Sequence, residues 1–215
     1  MSPRALDPAV RTAVTEAAIR ILATEGRAAL STRRLAREAR TSTTAVYTYF
    51  GGMDEVHRHV RRAALDELAA SLRAAGATDD PVADLARASA THVASGFRDP
   101  AMYRVMFVDQ PPDEGSDPAD AVFALLLELV GRCVRSGRFH PDAGHDPAMW
   151  AGEIWASGHG AVMLSSASLL PTDRLSALHA DMIHRLCVGF GDDRHRARRS
   201  VEAGVHEAAV ISPPL

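Results

Sequence analysis

"LSTRRLAREARTSTTAVYTYFGG", residues 30–52, decides how the rest of the chain is read. Its first half predicts a short helix from Thr32 to about Ala39, with Ser31 at the N-cap and Leu35, Ala36 and Ala39 on the apolar face. Its second half predicts another from about Thr43 to Phe50, ended by Gly51-Gly52. Val46 and Phe50 are four apart and share a face, suited to packing on Ile21, Leu30 and Leu35. Thr43 and Tyr47 share another face, with Thr44 and Thr48 beside them. Two short helices joined by "ARTS" have helix-turn-helix geometry, in which the first braces and the second can lie in the DNA major groove. Short hydroxyls approach base edges and phosphates closely, and a threonine methyl can touch a thymine methyl. A tyrosine hydroxyl can hold a phosphate. Taken alone, this face also fits a solvated helix surface with two tyrosines, Tyr47 and Tyr49, half buried for packing.

Charge separates the two readings. The 215 residues carry a net charge of −3, unevenly placed. Residues 1–62 hold 11 Arg against 6 Asp and Glu, a net +5, while residues 63–215 hold 13 Arg against 21 acids, a net −8. A basic head on an acidic body suggests that the head meets a polyanion. All basic residues are Arg and there is no Asn, a mark of a G+C-rich genome, so not every Arg is a chosen phosphate ligand.

The chain is expected to be all-α. Sustained two-residue alternation is missing, and helical spacing takes its place. Val10, Val14, Ala17, Ala18 and Ile21 define a first helix that Gly26 stops. A helix opens near Asp54 and runs towards Ala75. Others start at Pro81 and Pro100, since proline fits a first helical turn, and further helices cover about 118–136, 147–168 and 172–190. These divide into a three-helix head, 1–52, a larger helical domain for ligand binding and dimerisation, 53–191, and a tail, 192–215, expected to form at most a short helix and then fray. No apolar run reaches 18 residues, and the first residues lack the apolar core of a secretory signal, so a cytoplasmic protein without a membrane partner is expected. Cys133 and Cys187 read as two reduced core thiols.

The body offers candidates for two roles. Met102, Met106, Phe107 and Phe123 are apolar residues that could line a pocket for a hydrophobic small molecule. Leu127, Trp155 and Met163 could join them, and His159, on an otherwise apolar face, could hydrogen-bond a ligand; ordinary core packing explains any one of these eight as well. Gly152, Ala156 and Gly160 repeat every four residues and form a groove for a close helix, while Leu178, Met182 and Leu186 follow on the next helix. Neither a catalytic motif nor a cofactor motif is found, so no enzyme and no cofactor are expected. His140, Asp142, His145 and Asp146 cluster in a loop, where solvation explains them better than a metal does.

Residues 10–57 resemble the TetR family of bacterial transcription regulators, through "AAIRILATEG", "LSTRRLAREA", "STTAVYTYF" and "DEV". "WASGHGAVML", with Trp155, His159 and Gly160, resembles a C-terminal domain of that family carrying a Trp-His-Gly signature. The resemblance implies a homodimer on a pseudo-palindromic double-stranded DNA operator, acting as a repressor and released by a small effector. By position it implies base contacts from Arg33, Thr43 and Thr44, backbone contacts from Tyr47 and Tyr49, and phosphate contacts from Thr32 and Ser42 that double as caps. It also implies a four-helix dimer interface from 147–168 and 172–190. Two residues depart from the pattern: Arg40 stands where the family commonly has Gly, and Met53 where it commonly has Lys. Arg40 can hold the left-handed turn and reach a phosphate, and Arg4 and Arg11 are expected to share the backbone contacts. An all-helical small-molecule-binding protein that has lost DNA binding is the alternative, and a helical enzyme with no nameable catalytic pair is the third.

Overall fold

The computed structural model describes residues 7–109, 119–140 and 146–211. Its helices are α1 (Pro8–Glu25), α2 (Thr32–Glu38), α3 (Thr43–Phe50), α4 (Met53–Ala74), α5 (Pro81–Arg98), α6 (Pro100–Phe107), α7 (Ala119–Arg135), α8 (Pro147–Ser166), α9 (Thr172–Gly189) and α10 (Arg194–Ile211). A 3-10 turn, Arg27–Ala29, which the periodicity did not foretell, follows α1. The described residues contain no strand. One local device recurs: Asp7, Asp80 and Asp146 cap α1, α5 and α8 by accepting backbone N–H bonds, each followed by proline as the first helical residue. The aspartate satisfies an orphan donor, and the proline loses an N–H that had no partner.

The chain forms two compact units. The first joins residues 1–66 with 101–116, so α6 groups with the head although it lies far along the sequence. Val14, Ala17, Ala18 and Ile21 of α1 are buried there, as are Leu35 of α2 and Val46 and Phe50 of α3. Two arginines hold the C-terminal end of α6 and the turn after it by their carbonyls. The buried Arg61 of α4 donates from Nε to Met106 O at 2.8 Å, and Arg27 donates from Nη1 to Asp109 O at 2.6 Å. Those carbonyls have no partner inside the helix, so the cations both satisfy them and oppose the helix dipole.

The second unit, 67–100 with 117–215, is a bundle in which α5 touches α7, α8, α9 and α10. Leu85, Val130, Ile154, Ile183 and Val201 meet in its core. Trp150 stacks on Phe190 at 4.8 Å, with Phe139 edge-on to both. Cys133 and Cys187 are free and buried in the same core, and burial pushes the Cys133 thiol up to about 12. The tail, expected to form a short helix and then fray, holds an 18-residue helix, α10, packed along α5. Gly204 permits the close approach, since a Cβ there would collide with the carbonyl oxygen of Ala83 and lie 2.8 Å from Arg87 N. Arg138, 1% exposed, fastens the junction: it meets both oxygens of Asp192 at 2.7 and 2.6 Å, and reaches Asp80 Oδ1 at 2.8 Å and Ser200 Oγ at 2.9 Å. Ser200 in turn donates to Asp80 Oδ2 at 2.6 Å.

Candidate functional site

The head presents a polar face. Ser31 caps α2 and Ser42 caps α3, accepting from Arg34 N at 3.3 Å and Ala45 N at 3.0 Å; Thr32 is the first residue of α2 and not its cap. Between the helices, Arg40 adopts φ 53°, the left-handed conformation that glycine would supply most cheaply. The turn therefore closes without glycine, and Thr41 N reaches Ala36 O at 2.9 Å. On α3, Val46 and Phe50 are buried, while Ser42, Thr43, Thr44, Tyr47 and Thr48 are exposed. Thr48 gives its hydroxyl proton to Thr44 O at 2.8 Å, leaving its methyl and lone pairs outward. Tyr49 is half buried, and its hydroxyl accepts from Asp7 N at 2.8 Å, so it pins the start of α1 and keeps its own proton to donate.

The arginines of α2 divide by role. Arg34 lies between Glu25 at 2.6 Å and Glu38 at 2.7 Å and is committed to holding α2. Arg33, Arg37 and Arg40 are exposed and form no ion pair among the described residues. Arg37, which sequence reasoning passed over, stands four residues from Arg33 and shares its face. Arg11 lies over the Phe50 ring at 5.4 Å, which fixes it beside the end of α3; Arg4 falls outside the described residues. Met53 is the first residue of α4, and Asp54 and Glu55 follow in its first turn, where their charges compete with any phosphate for the helix N-terminus.

The body holds a cavity of about 240 Å³. Ala88, Ser89 and His92 of α5 form one wall; Val122, Leu125, Leu126 and Leu129 of α7 form the second; Ile154, Trp155 and Gly158 of α8 form the third. Ser89 Oγ lies 3.2 Å from Nε2 of His179 on α9. The rings of His92, Trp155 and His159 pack together, with centroids 4.6 to 5.4 Å apart. Burial pushes His92 down to about 3 and His159 and His179 down to about 4, so all three are neutral at pH 7. A second hollow, about 440 Å³, runs between α5, α9 and α10. It is larger, but alanines make up much of its lining; Arg98, Thr172, Asp173 and Ser176 are exposed, and His179, its one buried polar side chain, is already paired with Ser89.

Of the residues named from sequence, Trp155 lines the first cavity. Phe123 and His159 support it through the Trp155 ring, at 5.6 and 4.6 Å. Leu127 packs on the body core, and Met163 is half buried without lining the cavity. Met102, Met106 and Phe107 belong to α6, in the unit of the head, and none lines either hollow. Ser89 and His92 were missed; the one signal was a polar pair, three apart, in the alanine-rich "RASATHVAS".

On α8, Ala156 and Gly160 are exposed and Gly152 is half buried. A Cβ at either glycine would meet nothing within 4 Å, so no packing inside this chain requires them. On α9, Leu178 and Met182 are 41% and 37% exposed, whereas Leu186 packs on the core. Asp142 and His145 lie outside the described residues; His140 and Asp146 are exposed. No group of three metal-ligating side chains is found among the described residues, and no helix there is long and apolar enough to cross a membrane.

The described residues, all-helical with a helix-turn-helix in the head and a helical body, have the architecture of a transcription regulator. Residues 14–60 match the bacterial regulatory proteins of the tetR family, and residues 96–186 match a tetracyclin repressor-like C-terminal domain, together well over half the chain. The chain belongs to the TetR family. Among curated proteins none matches. Solved structures share the fold. A protein of unknown function from Rhodococcus sp. RHA1 has a TM-score of 0.73 at 21% identity, over 89% of this chain and 100% of that one. The transcriptional regulator FadR from Bacillus subtilis, in complex with stearoyl-CoA, has a TM-score of 0.68 at 15% identity, over 83% and 98%. RolR, in complex with resorcinol, has 0.65 at 15%, over 89% and 92%.

Proposed function

We propose that this chain is a ligand-responsive repressor that binds a pseudo-palindromic operator as a homodimer. The observation that carries the reading is the division of α3, with Val46 and Phe50 buried and Thr43, Thr44, Tyr47 and Thr48 turned to solvent. In this reading Arg33, Thr43 and Thr44 meet base edges, and a bidentate Arg33–guanine contact discriminates by about 1–3 kcal/mol. Tyr47, Tyr49, Thr32, Ser42, Thr48 and Arg40 hold the backbone. The exposed apolar strip of α8 and α9, with Gly152, Ala156, Gly160, Leu178 and Met182, pairs with its copy in a second subunit. The cavity between α5, α7 and α8 receives the effector. Two proteins of the same fold are in complex with small molecules, resorcinol in one and stearoyl-CoA in the other, which supports an effector here.

Titration of a duplex from the DNA flanking its own gene tests this. Specific binding should weaken with salt, log K falling by about 0.9 per neutralised phosphate for each unit of log salt. No specific binding to that duplex at low salt would favour the rival, a small-molecule-binding protein without DNA binding. Met182→Arg should convert the dimer to monomer in light scattering; an unchanged mass would remove the α8–α9 interface.

A further inference from the structure

The cavity between α5, α7 and α8 has two chemically different ends. Arg132 marks one, with Arg73 and Glu128 also in the lining. Arg132 is already held there, by Asp84 Oδ2 at 2.6 Å and Thr78 O at 2.7 Å. His92 lies eight residues beyond Asp84 on α5, about 12 Å along the helix. Ser89, one turn before His92, and Trp155, whose ring lies 5.4 Å from that of His92, line the cavity as well. Leucines of α7 and Ile154 complete its lining.

We propose that this cavity takes an uncharged aromatic compound carrying a hydroxyl, its ring against Trp155 and its hydroxyl between Ser89 and His92. The proposal rests on reading the cavity as the effector site. Size fits one substituted ring: a cavity of about 150 Å³ holds benzene, and this one measures about 240 Å³. Polar chemistry fits a hydroxyl. Ser89 spends one hydrogen-bonding direction on His179 Nε2, at 3.2 Å. A hydroxyl has one proton and two lone pairs, so in either tautomer of His179 the serine keeps a direction for the ligand. His92 is neutral, because burial, with His159 and His179 beside it, holds it down at about 3. A neutral imidazole brings no charge to the ligand beside it. A carboxylate set between Ser89 and neutral His92 would gain no cation from either residue, and its desolvation would cost more than a hydrogen bond returns. A plain hydrocarbon would leave the spare direction of Ser89 against apolar atoms.

Calorimetry on the full chain at pH 7.5 tests this with three probes: 4-propylphenol, propylbenzene and 4-propylbenzoate. The phenol should bind about tenfold more tightly than the hydrocarbon, and the benzoate most weakly. Ser89→Ala and His92→Phe should each move the phenol-to-hydrocarbon ratio towards one while the hydrocarbon still binds, which also shows that the variants fold. Leu125→Trp, filling the cavity from its half-exposed wall, should remove binding of phenol and hydrocarbon alike. Equal affinity for phenol and hydrocarbon, tightest binding of the benzoate, or a ratio unmoved by both variants would overturn the ligand class and leave the effector cavity standing. Binding that survives Leu125→Trp, or no binding of any probe, would overturn the cavity itself as well.

Discussion

α3 and α5 handle polar side chains in opposite ways. α3 turns threonines and a tyrosine outward and buries only Val46 and Phe50. α5 buries Asp84, Arg87, Ser89, Thr91 and His92 along with its apolar residues. Outside, a hydroxyl is satisfied by water until a partner displaces it, so it contributes little to stability and stays available. Inside, each polar group needs a partner within the chain, and removing that partner exposes the full cost of burial. Substitutions of buried polar groups in the body should therefore register as lost stability, and those of outward, unpaired side chains on the head as lost DNA affinity at unchanged stability.

The largest effect is expected at Arg138. Arg138→Met leaves Asp192, 2% exposed, buried without its cation. Breaking a buried pair from one side costs about 3–5 kcal/mol, read as a lower urea midpoint. Adding Asp192→Leu should restore part of it. A cost of about 1 kcal/mol or less would place this pair with surface ion pairs and break the comparison. Gly204→Ala should come next, at about 3 kcal/mol, because its methyl meets backbone of α5 that cannot swing aside.

Acid should separate the regions further. His92 and His179 titrate near 3 and 4 when folded, below the ordinary value of 6.5. The unfolded chain therefore binds more protons in between, and stability is full above pH 6.5 and lost as pH falls towards 4. At pH 5 the loss is about 2 kcal/mol for each histidine, and about 2–4 °C in Tm for each kcal/mol. His92→Phe should flatten the Tm profile between pH 7 and 5; a profile as steep as the wild type's would place the acid sensitivity elsewhere. Below that range, burial would raise Asp80 and Asp84, but hydrogen bonds from Ser200 and Ala83 N to Asp80, and from Thr78 and Arg132 to Asp84, hold both below the usual carboxylate range, adding a second loss as they protonate.

What the sequence discloses follows the same division. The outward face of α3 was legible because periodicity and caps are local: Ser42, Val46, Phe50 and Gly51 lie within ten residues. Helix starts at Pro81, Pro100 and Pro147 were legible for the same reason. α10 was not. Its opening, "RHRARR", reads as a polar tail, and what makes it part of the core is Gly204 against α5 and Ser200 against Asp80, 120 residues away. Trp155 was legible as a large aromatic on a helix of small residues, but Ser89 and His92 were not, because α7 and α8 decide which side of α5 faces a cavity. Met102, Met106 and Phe107 show the converse, since an apolar stripe looks the same whether it lines a pocket or packs a core.

On the head, Arg33→Ala should cost about 1–3 kcal/mol in operator discrimination with an unchanged urea midpoint. Arg34→Ala, which releases Glu25 and Glu38, should lower the midpoint instead, and only slightly, because solvent screens these partly exposed pairs.

The smallest effect sharpens the comparison within one helix. Tyr47 and Tyr49 differ by two residues and so point to different sides of α3. Tyr47 is 55% exposed, whereas Tyr49 is half buried with its hydroxyl on Asp7 N at 2.8 Å. Tyr47→Phe should leave the urea midpoint alone and weaken all duplexes by a similar factor, as the loss of a phosphate contact must. Tyr49→Phe removes the acceptor from Asp7 N and should cost about 1 kcal/mol of stability, with DNA affinity falling only if its remaining proton also reaches a phosphate. If Tyr47→Phe binds DNA like the wild type, the outward face of α3 is solvated surface at that position, and the DNA contacts must come from the threonines and the arginines of α2.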